Sequence, residues 1–473
     1  MLPPLPPPAA LGSGNREARP APRGRPPLNF RGPQSGAAAL TSSFLQMRQN
    51  IFSALLQTSL SLVIAALSIA IFHFLTPDET AFVRQHYFVP FAIFTALAPA
   101  NQNYLRSILF SQAPAKRANL QVASLAIVQL VTGALLIALM VVSMKTSGTS
   151  VSTANLIAFI AALALVLLRT LVTGILEFRG NYTASIILNN IGVALPYVAV
   201  FLAFVAFSQA TLFGWISGLN ALNVLLVALI GWHLSGASVR AMPWAQCRMD
   251  FSYRRYLSLA LISVGSVIVY QGVEFALYNY TDYDRAEIAS YALAFSASAV
   301  MRQVILTAVQ PLEHARNYDS TVGLRRLGTV SRPIAIEFLI YTGLVLAILV
   351  LPPLLARAFP SYETAGKFVA PLMLGVLGSA IQQIYSVRMI AKARTGFLSA
   401  SQLVLAFSCL AATIFLNPYF SLTAIIWLVS TLTWLRGCII IPLYIELSAG
   451  KPRAALWMVR AALSCVIISF AFR

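Results

Sequence analysis

Residues 256–280 read YLSLALISVGSVIVYQGVEFALYNY. The stretch carries one charge, Glu274, and no proline. About 20 apolar residues at 1.5 Å rise per residue cross the hydrocarbon core of a bilayer. A barrel strand would instead alternate polar and apolar positions over about ten residues. The run therefore predicts a membrane-spanning helix. It also places one acid where lipid tolerates it poorly without a partner.

Runs of the same kind recur along the chain. They lie near 49–75, 84–110, 118–144, 153–176, 182–207, 211–234, 256–280, 286–311, 333–356, 367–391, 397–416 and 420–445. Hydrophobic residues make up 58% and charged residues 10% of 473, too little charge to cover a soluble domain of that size. The predicted fold class is all-α: a polytopic membrane protein of about 12 transmembrane helices. A stretch near 454–472, short and holding Arg460, reads either as a further span or as an interfacial tail. It leaves room for 13 or 14 helices. The longest connections, near 235–255 and 312–332, are too short to fold as domains. Whatever the protein does, it does within or across the membrane.

The net charge of +19 would suit nucleic acid in a soluble protein. Here the basic residues cluster in alternate connections, as topology requires. Lys116 and Arg117 follow the second span, and Arg240, Arg248, Arg254 and Arg255 the sixth. Arg316, Arg325, Arg326 and Arg332 follow the eighth, Lys392 and Arg394 the tenth, and Lys451 and Arg453 the twelfth. The connections at Thr76–Glu79 and Thr281–Asp284 hold acids instead. This predicts a multi-pass protein of the inner (plasma) membrane with a cytoplasmic N-terminus, and no nucleic-acid partner. Residues 1–46 are rich in Pro, Gly, Ala and Arg and lack an apolar run, which predicts a disordered cytoplasmic tail. Met47 opens MRQNIFSALLQTSLSLVIAAL, a natural start for a polytopic protein.

The familiar signatures of chemistry are missing. There is no P-loop and no H-E-x-x-H. The cysteines (Cys247, Cys409, Cys438, Cys465) and histidines (His73, His86, His233, His314) are scattered, so neither a metal nor another cofactor is expected. Asp282-Tyr283-Asp284 matches the D-x-D of metal-dependent sugar transferases, but it stands in a short turn without a nucleotide-binding domain. Asn181-Tyr182-Thr183 fits a glycosylation acceptor by chance.

Charges inside spans cost about 2.5–3.5 kcal/mol each on insertion scales, and they tend to face cavities or partners. Arg106, Arg169, Glu274, Arg302, Arg388 and Arg436 are such residues. Asn101, Asn103, Asn189, Asn190, Asn220, Asn223, Gln271, Gln303, Gln310, Gln382 and Gln383 accompany them. Many of these amides are expected to join helices by hydrogen bonds, and Arg106, Arg388 and Arg436 have the reach to snorkel. Arginines outnumber acids, so a shared cavity would be cationic and would attract an anion, with a guanidinium fork suited to phosphate.

The chain divides into a six-helix bundle over 47–235, a linker over 236–255, a second bundle over 256–446 and a basic tail over 447–473. Each half opens with a helix, an acidic turn and a second helix. The second helices end in SQAPAKR (111–117) and VQPLEHAR (309–316). Two such bundles around a central cavity form a common transporter plan.

Residues 256–316 resemble the seventh and eighth helices of oligosaccharide-lipid flippases. These are the polysaccharide-biosynthesis branch of the multidrug/oligosaccharidyl-lipid/polysaccharide exporter superfamily. The resemblance rests on Glu274, the acidic turn, Ala289-Ser290-Tyr291-Ala292-Leu293-Ala294 and Pro311. LVLLRTLVTGILEFRGNYTASIILNNI (165–191) is similar to the family's fourth-to-fifth junction, and LLARAFPSYETAGKFVAPLMLGVLGSAIQQI (354–384) to its ninth-to-tenth. Gln85 and His86 stand where the pattern has Gly-Tyr. The resemblance implies a non-enzymatic flippase that moves a polyprenyl-diphosphate-linked oligosaccharide by alternating access. Arg169 and Arg302 would hold the diphosphate or acidic sugar. Arg106, Arg388, Asn101, Asn190 and Gln303 would support them. Glu274 would pair with an arginine or take up a coupling proton. Membrane lipid, a proton or sodium ion, and polysaccharide-assembly proteins are the implied partners. The competing readings are a multidrug or metabolite antiporter of the same fold, a flippase for a lipid-linked peptidoglycan precursor, a membrane polysaccharide polymerase or ligase, and a non-transporting assembly scaffold.

Overall fold

A computed structural model describes residues 59–85, 182–207, 212–235, 252–318, 331–391 and 395–448, with scattered single positions such as Tyr104 and Arg169. The expected spans near 118–144 and 454–472, and most of those near 84–110 and 153–176, lie outside the described residues, as does the 1–46 tail.

Among the described residues every element is helical. In order these are α1 (Ser59–His73), α2 (Pro77–Val83), α3 (Tyr182–Phe201), α4 (Leu212–Ser235), α5 (Tyr253–Val267), α6 (Val273–Tyr280), α7 (Arg285–Tyr318), α8 (Ser331–Ala358), α9 (Gly366–Ala391), α10 (Thr395–Leu416), α11 (Leu422–Trp434) and α12 (Ile441–Ser448). Six helical stretches among the described residues are long and apolar enough to span a membrane. The protein is a multi-pass membrane protein.

Among the described residues, complete π-turns stand at Leu202–Ala206 after α3, Ile268–Gly272 between α5 and α6, and Leu435–Ile440 between α11 and α12. A π-turn inserts one residue into a helix and re-aims its neighbours, and it recurs at functional sites. α7 begins as expected but runs through Pro311 to Tyr318, past the expected end at 311. Proline removes one hydrogen bond, and a helix packed against neighbours survives that.

Helix ends follow from local chemistry. Thr76 and Glu79 form a capping box before α2: the Glu79 amide donates to Thr76 Oγ1 at 3.3 Å, and the Thr76 amide to Glu79 Oε2 at 2.9 Å. Pro77 occupies the first turn, where its missing N–H is no loss. Asp284 Oδ1 accepts from the Ala286 amide at the start of α7. The acids of both turns therefore act in part as caps.

α9 is the centre of the second half. The most apolar window of its span is 78% buried, against 33% for α8. Around it pack α7, α8 and α11, with Phe368, Val369, Met373, Leu377 and Ile381 fully enclosed. The outer helices leave Val404, Phe407 and Phe415 exposed, which suits a lipid-facing surface. α9 meets the π-turn after α11 backbone to backbone. A Cβ built on Gly437 would stand 1.9 Å from the Gly378 carbonyl oxygen. Only glycine at both positions permits that approach.

Candidate functional site

Glu274 sits in the first turn of α6 and has no exposed surface. Its partner is Arg84, at the C-terminal end of α2 in the other half. Arg84 Nε donates to Oε1 and Nη2 to Oε2, both at 2.6 Å. The guanidinium is itself nearly buried, so this is a bidentate ion pair largely shielded from solvent.

Around the pair the two halves are joined by further polar and aromatic contacts. Gln85 Nε2 donates to Asn279 Oδ1 at 2.9 Å. The Tyr362 hydroxyl donates to the Leu75 carbonyl at 2.8 Å and lies 2.6 Å from Thr80 Oγ1. With its one proton on Leu75, Tyr362 must accept from Thr80. Phe72 stands edge-on to Tyr362, and His73 edge-on to Phe359. All these groups lie near the end of the bundle that carries the 76–79 and 281–284 turns. Tyr283 closes the same end over the second half, donating to the Phe420 carbonyl at 2.5 Å. Its partial burial and the nearby Glu287 carboxylate raise the phenol pKa, which keeps that donor protonated.

Farther along the chain from those turns, the halves meet again. Tyr104 packs edge-on against Tyr256, and its hydroxyl accepts from the Ser252 amide at 3.1 Å.

The sequence-selected arginines fall in different places. Arg169 is 2% exposed and packs within the first half. A Cβ built on Gly192 would stand 1.7 Å from its Nη1 and 2.6 Å from Asn223 Nδ2. The bare backbone of α3 is what admits the guanidinium. Asn190, two residues before Gly192 and so on the other side of α3, donates to its own helix at the Ile186 carbonyl, 2.8 Å. Arg302, on α7, lies over the ring of Tyr270 at 5.0 Å, a cation–π arrangement. The structure does not bring Arg169 and Arg302 into contact. Arg106 and Asn101 lie outside the described residues, as do the side chains of Gln303 and Arg388.

Arg436 differs from expectation. It does not snorkel: it is 2% exposed and sits in the π-turn after α11. It donates to Gln382 Oε1, to Ser401 Oγ at 3.2 Å and to the Leu398 carbonyl at 3.2 Å. Three neutral acceptors on α9 and α10 thus hold one cation, in a network that ties three helices together.

Arg84 was the residue that sequence reading missed. In the sequence it stands at the start of the second span. A signal was present: Arg84 follows the Thr76 cap by eight residues, and Glu274 precedes Thr281 by seven. At 1.5 Å per residue both lie roughly 10–12 Å from turns at the same end.

Among the described residues no group of three His, Cys, Asp or Glu side chains is placed to hold a metal. No sequence family matches the chain, and no curated protein does. Solved structures do. Lipid II flippase MurJ, in an inward closed conformation, is similar over 90% of this chain and 91% of its own, with TM-score 0.61 and 13% identity. The chain has the fold of the MOP superfamily transporters. An inward-facing multidrug resistance MATE family transporter of that superfamily matches over 87% of this chain and 99% of its own, with TM-score 0.54 and 13% identity. A MOP superfamily transporter from Pyrococcus furiosus, described as having a binding pocket of reverse polarity, matches over 84% and 95%, with TM-score 0.50 and 12% identity. At these identities the likeness establishes the fold and not the substrate.

Proposed function

We propose that the protein flips a lipid-linked, polyprenyl-diphosphate oligosaccharide across the inner membrane for surface polysaccharide synthesis. Transport proceeds by alternating access of two six-helix bundles, 47–235 and 256–446. The buried Arg84–Glu274 pair carries the reading, because it joins the halves at one end only as long as that end is shut. A bidentate pair out of water is held strongly, since removing either charge strands the other. If the end opens, both groups regain water and the cost of parting them falls. Such a pair is a lock that can be released.

The basic-loop alternation assigns this end to the external side. On that assignment the end held by Arg84 and Glu274 is the outward one. The excess of arginines in the spans favours an anionic head group over the cations of drug antiporters, and the diphosphate suits a guanidinium fork. That a lipid II flippase and a transporter with a pocket of reverse polarity share the fold is consistent with this choice. Arg169 and Arg302, with Arg106, Arg388, Asn101, Asn190 and Gln303, are the candidate contacts along the path. Glu274 is free to take up a proton when Arg84 withdraws, and this would couple opening to a proton gradient. Glu274→Gln is then expected to weaken the dependence of transport on that gradient.

The reading is tested in vesicles holding the purified protein and a fluorescent polyprenyl-diphosphate oligosaccharide, with outer-leaflet label quenched over time. Translocation should be faster than in empty vesicles. Arg302→Ala should bind the lipid about ten- to hundredfold more weakly, as loss of one charge-assisted contact implies. Arg302→Lys should recover only part. Equal rates with and without protein would refute the assignment.

Topology is tested separately. Reporters fused at Ser235 and Thr321 should read cytoplasmic, and those at Ser147 and Tyr283 external. The reverse result at either pair would place the Arg84–Glu274 lock on the wrong side.

A further inference from the structure

The second half encloses a cavity of about 40 Å³ between α7, α9, α11 and the π-turn after α5. Its polar lining is Tyr270, Tyr291, Ser298, Arg302, Ser430 and Thr433. A water needs roughly 10–15 Å³ on this measure, so the space takes about three waters. A diphosphate with its sugar does not fit there in this closed state, so Arg302 meets a lipid head group only once the cavity opens. From the geometry we infer that this cavity is a binding site for a single small monovalent anion of halide size.

Four observations carry the inference. Arg302 brings a full positive charge to the wall, and it makes no ion pair among the described residues. Its Nε is buried without a hydrogen bond, an arrangement that costs stability unless a counter-charge lies near. Tyr270 stacks on the guanidinium and fixes it at the cavity wall. The π-turn Ile268–Gly272 places that ring. Ser430 faces the same space across Gly375, where a Cβ would come 3.3 Å from Ser430 Oγ. The absence of a side chain there leaves the hydroxyl room to turn.

The remaining hydroxyls weigh the other way and must be counted. Ser298 donates to the Ala294 carbonyl at 2.8 Å and Thr433 to the Val429 carbonyl at 2.9 Å. As they stand they offer lone pairs to the cavity. Such back-bonds within a helix are weak. A cation here would face the guanidinium at close range, whereas an anion meets the guanidinium and the Ser430 hydroxyl, with Ser298 and Thr433 able to rotate. Charge therefore decides for the anion. The buried acid of the adjoining helix, Glu274, is bound by Arg84.

The inference concerns the state in which the Arg84–Glu274 end is shut and does not depend on which lipid is carried. It is tested on the purified full-length protein by thermal unfolding in sodium bromide, chloride, gluconate and pyrophosphate at equal ionic strength. Bromide and chloride should raise the midpoint by a few degrees over gluconate, saturating with concentration as a specific site does. Arg302→Gln should abolish that difference, Ser430→Ala should reduce it, and Arg302→Lys should keep part of it. Crystals soaked in bromide should show an anomalous peak beside Arg302. A wild-type midpoint equal in halide and gluconate would overturn the proposal, as would an unchanged halide effect in Arg302→Gln. Stabilisation by pyrophosphate alone would overturn it in favour of a head-group site. None of these readouts involves transport, so failure here leaves the flippase reading standing, and failure of that reading leaves this one standing.

Discussion

Glu274→Ala is expected to destabilise the protein by about 3–5 kcal/mol, because it leaves the Arg84 guanidinium buried without its counter-charge. Arg84→Ala should cost a similar amount for the mirror reason. The informative variant is the double one. Replacing both residues with apolar side chains, Arg84→Met with Glu274→Leu, removes both desolvation costs at once, and much of the lost stability should return. Transport should not return with it, since the switchable pair is gone. Denaturant titration of the wild type, Arg84→Met, Glu274→Leu and the double variant in one detergent gives the coupling energy directly. If the two single losses simply add in the double variant, the pair is not coupled, and the lock between the halves does not exist.

The second large effect is steric. Gly437→Ala would place a methyl carbon 1.9 Å from the Gly378 carbonyl oxygen and 2.5 Å from its carbon. Gly378→Ala would place one 2.6 Å from the Thr433 carbonyl oxygen and 2.6 Å from Trp434 Cα. The obstacles are backbone atoms, so no rotamer change relieves them. α9 and the π-turn must part, at about 1–3 kcal/mol or somewhat more. Arg436 lies next to Gly437 and bonds Gln382 one turn beyond Gly378, so the same movement strains the polar network of three helices. Gly343→Ala is the control: nothing lies within 4 Å of the added carbon, and an alanine inside a helix should be neutral or favourable by up to about 1 kcal/mol. Unfolding midpoints of the three variants check this. A Gly437→Ala protein as stable as Gly343→Ala would show that α9 and the π-turn are not so close.

The helices themselves were legible in the sequence because span length and apolar run length obey the same physical requirement. α3, α4, α10 and the run from Tyr253 to Tyr280 begin and end within a few residues of expectation. The π-turns were not legible. A π-turn leaves apolar content unchanged and shifts only the phase of a helix, and the residues near Tyr270 and Arg436 carry no distinctive pattern. Gly378 and Gly437 are not legible for a related reason: a glycine in a span gains meaning only when the facing helix is known. Glu274 stood out as the one acid within its span, which is a local property. Its partner did not stand out, because Arg84 lies at a span boundary, where basic residues are common, and 190 positions away. Arg436 has a side chain long enough to reach an interface. Length alone permits that, and only the facing Gln382, Ser401 and Leu398 decide against it. The arginine excess within spans was legible as a sign of charge, but which arginines share a space depends on packing that no run of sequence contains.

The central claim is that the end held by Arg84 and Glu274 opens when a lipid-linked oligosaccharide is carried. Asp78, beside the α2 cap, and Glu363, beside Tyr362, are exposed on opposite halves at that end. Spin labels at these two positions, with the protein in lipid vesicles, report the gap as a distance distribution. The account predicts one short distance in lipid alone. On addition of polyprenyl-diphosphate oligosaccharide it predicts a second, longer population, which the non-glycosylated monophosphate lipid should not produce. A single distribution, unchanged by either lipid, would contradict it.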